Sequence, residues 1–442
     1  MKSSFNPVRL IPLLFLGAIA FGTALLMLPV MTADGQWTGF VTALFTSTSA
    51  VAVTGLIVVD TATYWSPLGK CVILFLFQIG GFGIMTAATL LGLAAGRGVS
   101  LSHKMATQVE RSRLDIGNGA SVLKLVLAIT VVVEAIVAVI LTLRFRLAYD
   151  FSWGQAVWHG IFQSVSAFNN AGFSSFSDSV ASYQLDGFIL IPIMVAVIIT
   201  ALGFPVMQEL RALPFQPRRW TLHSKITVSG TIILLAFGFV TILLAEWNNS
   251  DTIGGMNIGG KAMNAMFHSV MPRTAGFNSL DVGAFTDISL IANYLMMFIG
   301  GGSAGTAGGI KITTFALLLA IVWSDIRGHQ DPSMFGRRFG RGMERQAVTV
   351  AFLAITLIAI GTLIIMAITE LPMQDILFET ISAFATVGLS TGITADLPEP
   401  ARIVLVVLMY VGRVGTITAA TALALGAGRK PFRYPEENPI VG

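Results

Sequence analysis

Apolar segments of two lengths alternate along the chain. Eight of them reach the roughly 20 residues that a helix needs to cross a bilayer. These eight are Leu10–Val30, Leu68–Ala95, Ala120–Leu143, Phe188–Leu210, Ile226–Ala245, Ile288–Trp323, Ala347–Ile368 and Ile403–Gly426. A shorter apolar segment lies within each pair of long ones, and these four are Thr38–Ala50, Gly154–Ala167, Lys261–Met271 and Pro372–Ala383. The pattern predicts eight transmembrane helices and four half-length helices that enter the membrane partway and return as loops.

Each short segment ends in a variant of one motif, which starts with Phe and ends with Gly followed by Leu or Phe. The copies occupy residues 45–56, 162–173, 267–277 and 378–389, and the third copy is one residue shorter. Their glycines are 117, 104 and 112 residues apart, so the chain consists of units of similar length. We predict four repeats, each a span, a half-helix, a loop and a second span, with bounds 1–115, 116–220, 221–335 and 336–442.

The composition is typical of a membrane protein. Of the 442 residues, 54% are hydrophobic and 11% are charged, whereas a soluble domain averages about 25% charged residues. The net charge of +4 comes from basic residues in short loops, which favours a lipid bilayer over nucleic acid as the partner. The first apolar segment exceeds the ~7–15 residues of a signal peptide, so we expect it to be retained as a helix. The single cysteine, Cys71, cannot form a disulfide within the chain.

The charge distribution predicts the orientation, because basic residues mark the cytoplasmic side of a membrane protein. If the N-terminus is cytoplasmic, the segments on that side hold 20 of the 27 Lys and Arg residues; they are 1–10, 95–125, 208–226, 311–346 and 426–442. Both termini are therefore predicted to be cytoplasmic, and all four half-helices enter from outside. Repeats that share one direction are related by an axis along the membrane normal. We predict an all-α polytopic membrane protein in which four parallel repeats surround a central pore.

The loops after the half-helices are expected to line that pore, because unwound backbone at membrane depth is tolerated where it lines a cavity. Each half-helix would point the partial negative charge of its C-terminus at the centre. The loops contain no Asp or Glu, so an ion would be selected by carbonyl oxygens that replace its hydration water. The candidate ion-binding residues are Val53, Thr54, Gly55, Asn170, Ala171, Gly172, Thr274, Ala275, Gly276, Thr386, Val387 and Gly388. The alternative is that these small residues only allow close helix packing.

On these residues the chain resembles the Ktr/Trk/HKT superfamily of potassium transporters, and most closely its KtrB type. The resemblance covers nearly the whole chain and rests on three features: Ser49-Ala50 with Thr54-Gly55, the Pro-Arg-Thr-Ala-Gly-Phe of residues 272–277, and a Gly-rich segment at 300–311. In this superfamily Gly in all four loops goes with potassium preference, and Ser in the first loop goes with sodium. The resemblance therefore implies potassium transport; the alternative is a sodium-selective or non-selective cation transporter on the same scaffold.

The Gly-rich segment lies in the middle of Ile288–Trp323, which is too long for one straight span and has six glycines between residues 300 and 309. Gly costs about 1 kcal/mol relative to Ala inside a helix, so we expect the helix to be broken there. The segment resembles the superfamily's intramembrane gate loop, and the hypothesis is that it blocks the pore at rest; a simple hinge is the alternative. The candidate gate residues are Gly300, Gly301, Gly302, Ser303, Gly305, Thr306, Gly308, Gly309, Lys311 and Arg413.

Two charged residues lie inside predicted spans. Arg413 is ten residues into the last span, where a charge costs about 2.5–3.5 kcal/mol and usually faces a cavity. The superfamily has an Arg at this place, which implies that Arg413 faces the pore below the filter; a structural hydrogen-bond donor is the alternative. Glu134 is either an ion-binding or pairing group or a protonated core carboxylate. In the third loop, Arg273 is expected to pair with Asp281 or Glu379.

The sequence has no motif of an intramembrane enzyme, and its five His residues form no cluster, so we predict a non-enzyme without a bound cofactor. A coupled transporter with inverted repeats is disfavoured, because the charge count gives every repeat the same direction. The resemblance implies a homodimer in a bacterial cell membrane, with K+ as the substrate, stimulation by Na+ and a cytosolic, nucleotide-binding, KtrA-like regulatory ring. A group of arginines either marks the cytoplasmic side or contacts such a regulator: Arg337, Arg338, Arg341 and Arg345.

Overall fold

The computed structural model describes residues 7–96, 119–329, 331–340 and 342–424. In these residues the chain forms fourteen α-helices in four successive groups. The first group is α1 (Pro7–Leu26), α2 (Phe40–Val51) and α3 (Pro67–Gly96), and the second is α4 (Gly119–Ala148), α5 (Trp153–Asn169), α6 (Gly187–Leu202) and α7 (Phe204–Ala212). The third group is α8 (Leu222–Ala245), α9 (Ile258–Val270), α10 (Asp287–Phe298) and α11 (Ile312–Ile326), and the fourth is α12 (Met343–Ile368), α13 (Met373–Phe384) and α14 (Glu399–Ala424). A short antiparallel hairpin between α11 and α12 pairs β1 (Ser333–Met334) with β2 (Arg337–Arg338).

Three helices within the described ranges are long and apolar enough to cross a bilayer: Val126–Ala148 in α4, Leu222–Ala245 (α8) and Met343–Ile368 (α12). Each exposes large apolar side chains, as a lipid-facing helix does, and examples are Val131, Ile232 and Ile355. The bent pair α6–α7 is a fourth candidate. The other predicted spans lie on α1, α3, α10–α11 and α14, so the helical architecture is confirmed while the eight-span, four-repeat organisation stays a prediction.

The four short helices α2, α5, α9 and α13 lie where the short apolar segments predict them, and we call them half-helices. Side chains fix the starts of two of them: Ser152 and Gln155 form a capping box before α5, and the Asn257 side chain accepts the Gly260 N–H before α9. Such caps satisfy N–H groups that have no partner inside the helix. The Phe that opens each motif is fully buried, and these residues are Phe45, Phe162, Phe267 and Phe378. The conserved position of the Phe within the motif therefore anchors each half-helix in the protein interior.

The predicted span Phe188–Leu210 is bent rather than straight, and its two helices pass together as one candidate span. The chain bends by 98° between α6 and α7. Gly203 at the bend has a φ of +87°, and a Cβ there would lie 2.3 Å from the carbonyl oxygen of Ser303. The bend therefore occurs where the Gly-rich segment packs against the second group. That segment itself separates α10 from α11, so Ile288–Trp323 is broken as expected.

Candidate functional site

The glycines of the four motifs meet in one closed ring, which we call the glycine ring: Gly55, Gly172, Gly276 and Gly388. Each glycine packs against the backbone of the next loop in chain order, and the fourth packs against the first. A Cβ would lie 2.5 Å from the Ala171 oxygen if built on Gly55, 3.1 Å from the Ala275 oxygen on Gly172, 2.5 Å from the Val387 oxygen on Gly276, and 2.1 Å from the Thr54 oxygen on Gly388. Such a close approach of backbones requires residues without a side chain.

The backbone around the ring has an unusual and repeated conformation. Each ring glycine has a positive φ, and so has the residue two positions before it: Val53, Asn170, Thr274 and Thr386. Positive φ is uncommon for residues other than Gly and is a true outlier for β-branched ones. In an ordinary extended strand successive carbonyls point to opposite sides, whereas alternation of the sign of φ turns them to the same side. The four loops therefore present rows of carbonyls in one direction.

The N–H groups of the loops bond back toward their own half-helices. In three loops the residue before the ring glycine donates to a carbonyl five positions earlier, at 2.8 Å each: Thr54 to Ser49, Ala171 to Ser166, and Val387 to Ser382. The third loop is one residue shorter, and Ala275 donates instead to Met271 at 3.0 Å. Each loop is therefore held against its own half-helix by hydrogen bonds that the loop N–H groups donate.

The carbonyl oxygens of the same four residues, Thr54, Ala171, Ala275 and Val387, lie at the glycine ring and receive no hydrogen bond from the described part of the chain. All four residues are fully buried. A buried carbonyl without a partner is rare in proteins. The ring therefore offers converging oxygens to a ligand that can accept their electron density, which is a property of a cation.

The Gly-rich segment and Ile299 before it are held largely by backbone bonds. Ile299 and Ile310 pair as a parallel bridge, with Gly300 donating to the Ile310 carbonyl at 2.9 Å. Two further bonds attach the segment to the bend between α6 and α7: Gly302 donates to Ala201 at 2.7 Å, and Phe204 donates to Ala304 at 3.2 Å. The segment is thus an ordered loop that docks on the second group of helices.

The Gly-rich segment also reaches the fourth loop at its end next to α13. A Cβ on Gly308 would lie 2.0 Å from the Thr386 hydroxyl and 2.3 Å from the Ala385 carbonyl. The Arg413 guanidinium, 2% exposed, donates to the same Thr386 hydroxyl at 3.3 Å. Lys311 donates to the carbonyl of Ala307. Two cationic side chains and the Gly-rich segment therefore meet beside one end of the ring.

The other candidate gate residues lie within the same segment and have different neighbours. Gly301 approaches the Ala201 carbonyl, and Gly305 approaches that of Thr200, whose hydroxyl bonds Asn170 of the second loop at 2.9 Å. The remaining ones are packed as follows: Ser303 bonds Thr313 at 3.2 Å, Thr306 is fully buried, and Gly309 has a φ of +66°. The Gly-rich segment thus contacts Thr386 in the fourth loop and Thr200, which bonds Asn170 in the second loop.

Of the two remaining charges, Arg273 is placed differently from expectation. Arg273 pairs with neither Asp281 nor Glu379; its guanidinium donates to the Thr231 hydroxyl on α8 at 3.2 Å. Glu379 instead accepts bonds from Ser390, Thr391 and Thr394. Glu134 lies beside Asn169, whose amide bonds Gln78 at 2.5 Å and approaches the Glu134 carboxyl at 3.4 Å. Glu134 therefore takes part in a polar contact behind the second loop.

Arg337, Arg338 and Arg345 form no common site in the described residues. Arg338 bonds Asp331 at 3.2 Å and both side chains are exposed. Arg337 and Arg345 are also exposed, and Arg341 lies outside the described residues.

Behind the ring lies a set of polar contacts that the sequence motifs did not predict, and we call these contacts the struts. In three motif copies the side chain after the Phe bonds a serine eleven positions later. Gln163 donates to the Ser174 hydroxyl at 2.6 Å, His268 accepts the Ser279 backbone N–H at 3.3 Å, and Glu379 accepts the Ser390 hydroxyl at 2.5 Å. The first residues of the three pairs, Gln163, His268 and Glu379, differ in chemical type, so no simple sequence motif reveals the pairs. The equal spacing of eleven was the available signal.

A second buried carboxylate, Glu246, lies directly after α8. It accepts bonds from Thr252 at 2.8 Å, from Asn249 at 2.7 Å, and from both the N–H and the hydroxyl of Thr286. Burial acts to raise the pKa of Glu246, but the hydrogen bonds from Ser289, Thr286 and Thr252 outweigh it and hold the pKa below its ordinary value. Glu246 is therefore a charged group that ties the end of α8 to the start of α10.

Comparison with known proteins agrees with an ion site. A family model described as TrkH: Cation transport protein matches residues 18–428. The Ktr system potassium uptake protein B of Bacillus subtilis is 35% identical over 441 residues, covering 99% of this chain and 97% of that protein. The potassium/sodium uptake protein NtpJ of Enterococcus hirae is also 35% identical, over 451 residues, covering 100% of this chain and 98% of that protein.

The fold is similar to the crystal structure of the potassium transporter TrkH from Vibrio parahaemolyticus. The TM-score is 0.73, and the match covers 94% of this chain and 85% of that chain at 20% sequence identity. These proteins are described as ion uptake proteins or transporters, not as enzymes. The chain belongs to the TrkH family of cation transport proteins.

Proposed function

We propose that the chain is the membrane subunit of a potassium uptake system and that the glycine ring is its selectivity filter. The observation that carries this proposal is the ring itself, in which four buried carbonyls converge without a hydrogen-bond partner among the described residues. Carbonyl oxygens that replace an ion's hydration water are the basis of potassium selection in filters of this kind. The half-helices end directly before the loops, so their C-termini add negative potential at the ring.

Potassium is the favoured substrate because all four ring positions are Gly and because two relatives are described as Ktr system potassium uptake proteins. A second candidate is uptake of both potassium and sodium, which the description of NtpJ as a potassium/sodium uptake protein favours. The two functions differ in one measurable respect: only a potassium-selective protein takes up rubidium tracer that excess potassium blocks and excess sodium does not.

The Gly-rich segment is proposed to be the gate. Its contacts with Thr386 support this role, because they place the Gly-rich backbone against the end of the ring next to the half-helices. Arg413 and Lys311 lie at the same end, where their charge lowers the occupancy of cations while the segment is in place. Movement of the segment would then open a path from the ring.

The proposal extends to the membrane orientation, the oligomeric state and the partners of the chain. Both termini are cytoplasmic, the ring glycines are reached from outside, and the protein is a homodimer in a bacterial cell membrane. A cytosolic nucleotide-binding ring regulates the gate, and sodium stimulates uptake; the word "system" in the relatives' descriptions supports the existence of further subunits.

Growth of cells that lack their own potassium uptake tests the proposal. The wild-type chain, expressed with its cytosolic partner, is expected to restore growth at low potassium. Gly276→Ser is expected not to restore it at equal membrane abundance, because its Cβ would lie 2.5 Å from the Val387 carbonyl. Failure of the wild type would refute potassium uptake, whereas equal growth with Gly276→Ser would refute the ring as the filter.

A further inference from the structure

The struts connect each half-helix to the segment that follows the ring glycine. Gln163, His268 and Glu379 are each fully buried, and each follows the motif Phe by one position. Their partners come two or three residues after the glycine, so every strut crosses behind its loop from one end of the loop to the other. The contact is repeated although the side chains are an amide, an imidazole and a carboxylate.

Glu379 makes the most complete strut. Its carboxylate accepts bonds from the Ser390 hydroxyl at 2.5 Å, the Thr391 N–H at 3.2 Å and the Thr394 hydroxyl at 2.8 Å. Three hydrogen bonds join Glu379 to this segment, whereas Gln163 and His268 each make one to theirs. The segment after Gly388 is therefore fixed more firmly than those after Gly172 and Gly276.

The first motif copy shows no strut among the described residues. The corresponding positions are Thr46 and Ile57, and no hydrogen bond joins them. The first loop instead has the Gly55 N–H bonded to the Ser49 hydroxyl at 3.1 Å, a contact that the fourth loop repeats between Gly388 and Ser382. The four loops are thus alike at the ring but unequal in the support behind them.

We infer that Gln163, His268 and Glu379 are positioning residues for ion selection, with Glu379 the most important. This inference rests on the proposed function of the glycine ring. A strut fixes the outer end of its loop, so the carbonyl before the glycine cannot move inward to suit a smaller ion. When a strut is lost, the ring adapts to sodium, and preference for potassium falls while transport continues.

The decisive variant is Ser390→Ala, which removes one donor to Glu379 and leaves the loop backbone and the carboxylate in place. Glu379→Ala removes the whole strut, and Glu379→Gln is the conservative variant that retains an acceptor oxygen. The matched control is Thr252→Ala, which removes one buried hydroxyl donor to Glu246 in the same way, away from the loops. Purified protein in liposomes is assayed for rubidium uptake in competition with potassium and sodium, and its Tm is measured.

Ser390→Ala and Glu379→Ala are expected to lower the potassium-over-sodium preference, the latter by about tenfold, equivalent to ~1.4 kcal/mol. Glu379→Gln should recover most of the preference. Thr252→Ala should lower the Tm as much as Ser390→Ala does, with no change in preference. If Ser390→Ala remains as selective as the wild type, the inference is overturned, even when Glu379→Ala does not fold. If the wild type itself shows no preference, the proposed function fails instead.

Discussion

At the scale of single residues, the four ring positions are those where a side chain has no room. Gly388 has a φ of +91°, and its Cβ would lie 2.1 Å from the Thr54 carbonyl. Gly172 has a φ of +71°, and its nearest contact would be at 3.1 Å. The ring is therefore not equally strict at every position, and substitutions should reveal the order.

Gly388→Ala is expected to lower rubidium uptake by more than tenfold, whereas Gly172→Ala should retain a larger part of it. The difference has two causes: a left-handed conformation costs an L-residue about 1–2 kcal/mol, and only the Gly388 substitution also forces two backbones apart. Tracer uptake into liposomes measures the effect at equal protein.

The control for this pair is Gly17→Ala inside α1, where a Cβ would meet nothing within 4 Å. It should leave uptake unchanged and stabilise the helix by up to ~1 kcal/mol. Equal loss of uptake in Gly172→Ala and Gly388→Ala would contradict the predicted difference between these two positions.

Glu246 predicts a pH dependence of stability. Its pKa in the folded protein lies below the ordinary value of 4.5, so the unfolded chain binds a proton more readily than the folded one. The stability that Glu246 contributes is therefore present above pH 4.5 and is lost as the pH falls below that value. The Tm of the detergent-solubilised wild type should drop over this range.

Glu246→Gln provides the test of that cause, because it keeps the shape and removes the titration. Its Tm should be lower near neutral pH and should fall less steeply on acidification. A wild-type slope that Glu246→Gln leaves unaltered would assign the pH dependence to other groups.

The residues of the candidate site were predictable where the sequence motif is repeated. Gly55, Gly172, Gly276 and Gly388 stand out because four copies of one motif agree on them. Arg273 was not predictable, because sequence offers acidic partners by proximity whereas the structure gives it the Thr231 hydroxyl from another helix. The struts were missed because Gln163, His268 and Glu379 share a position and a geometry but not a chemical type.

At the scale of elements, the Gly-rich segment and the bend at Gly203 form one contact. The break in the segment was predictable from six glycines in ten residues. The bend also had a signal that the prediction did not use, because Pro205 directly after Gly203-Phe204 interrupts a helix. What bends the chain is tertiary: the Phe204 N–H bonds to Ala304 rather than within its own helix.

Deletion of residues 301–308 is expected to raise rubidium flux in the absence of any cytosolic partner, because it removes the segment that contacts Thr386. The shortened chain can close, since the Gly309 Cα lies 3.4 Å from where a Cβ on Gly300 would be. Liposome flux measures the change, and Gly17→Ala again serves as the control. Flux equal to or below that of the wild type, in a protein with a normal elution profile, would count against a gate.

Arg413→Ala should change uptake kinetics while the protein remains in the membrane. Removal of a buried cation beside the ring raises cation occupancy there and releases one bond to Thr386, so the maximal rate of uptake should rise. Arg413→Lys keeps the charge and should stay close to the wild type. An unaltered rate in Arg413→Ala, at equal abundance, would indicate a purely structural donor.

At the scale of the whole molecule, the last group of helices contacts the first. The fourth loop packs against the first at the ring, and α14 contacts α1 through a bond of 3.1 Å from the Tyr410 hydroxyl to the Pro12 carbonyl. The parallel direction of the units, inferred from the basic residues, stays a prediction. The meeting of the four loops was predictable from the repeated motif. The unequal support of the four loops was not, because it depends on contacts between residues that only the fold brings together.

The most direct test of the account is to locate rubidium, as a substitute for potassium, by its anomalous scattering in crystals of the protein. The account predicts rubidium inside the glycine ring, coordinated by the carbonyl oxygens of Thr54, Ala171, Ala275 and Val387. When sodium alone is supplied, no sodium ion is expected at that position. Rubidium bound elsewhere while the ring stays empty, or sodium held in the ring equally well, would contradict it.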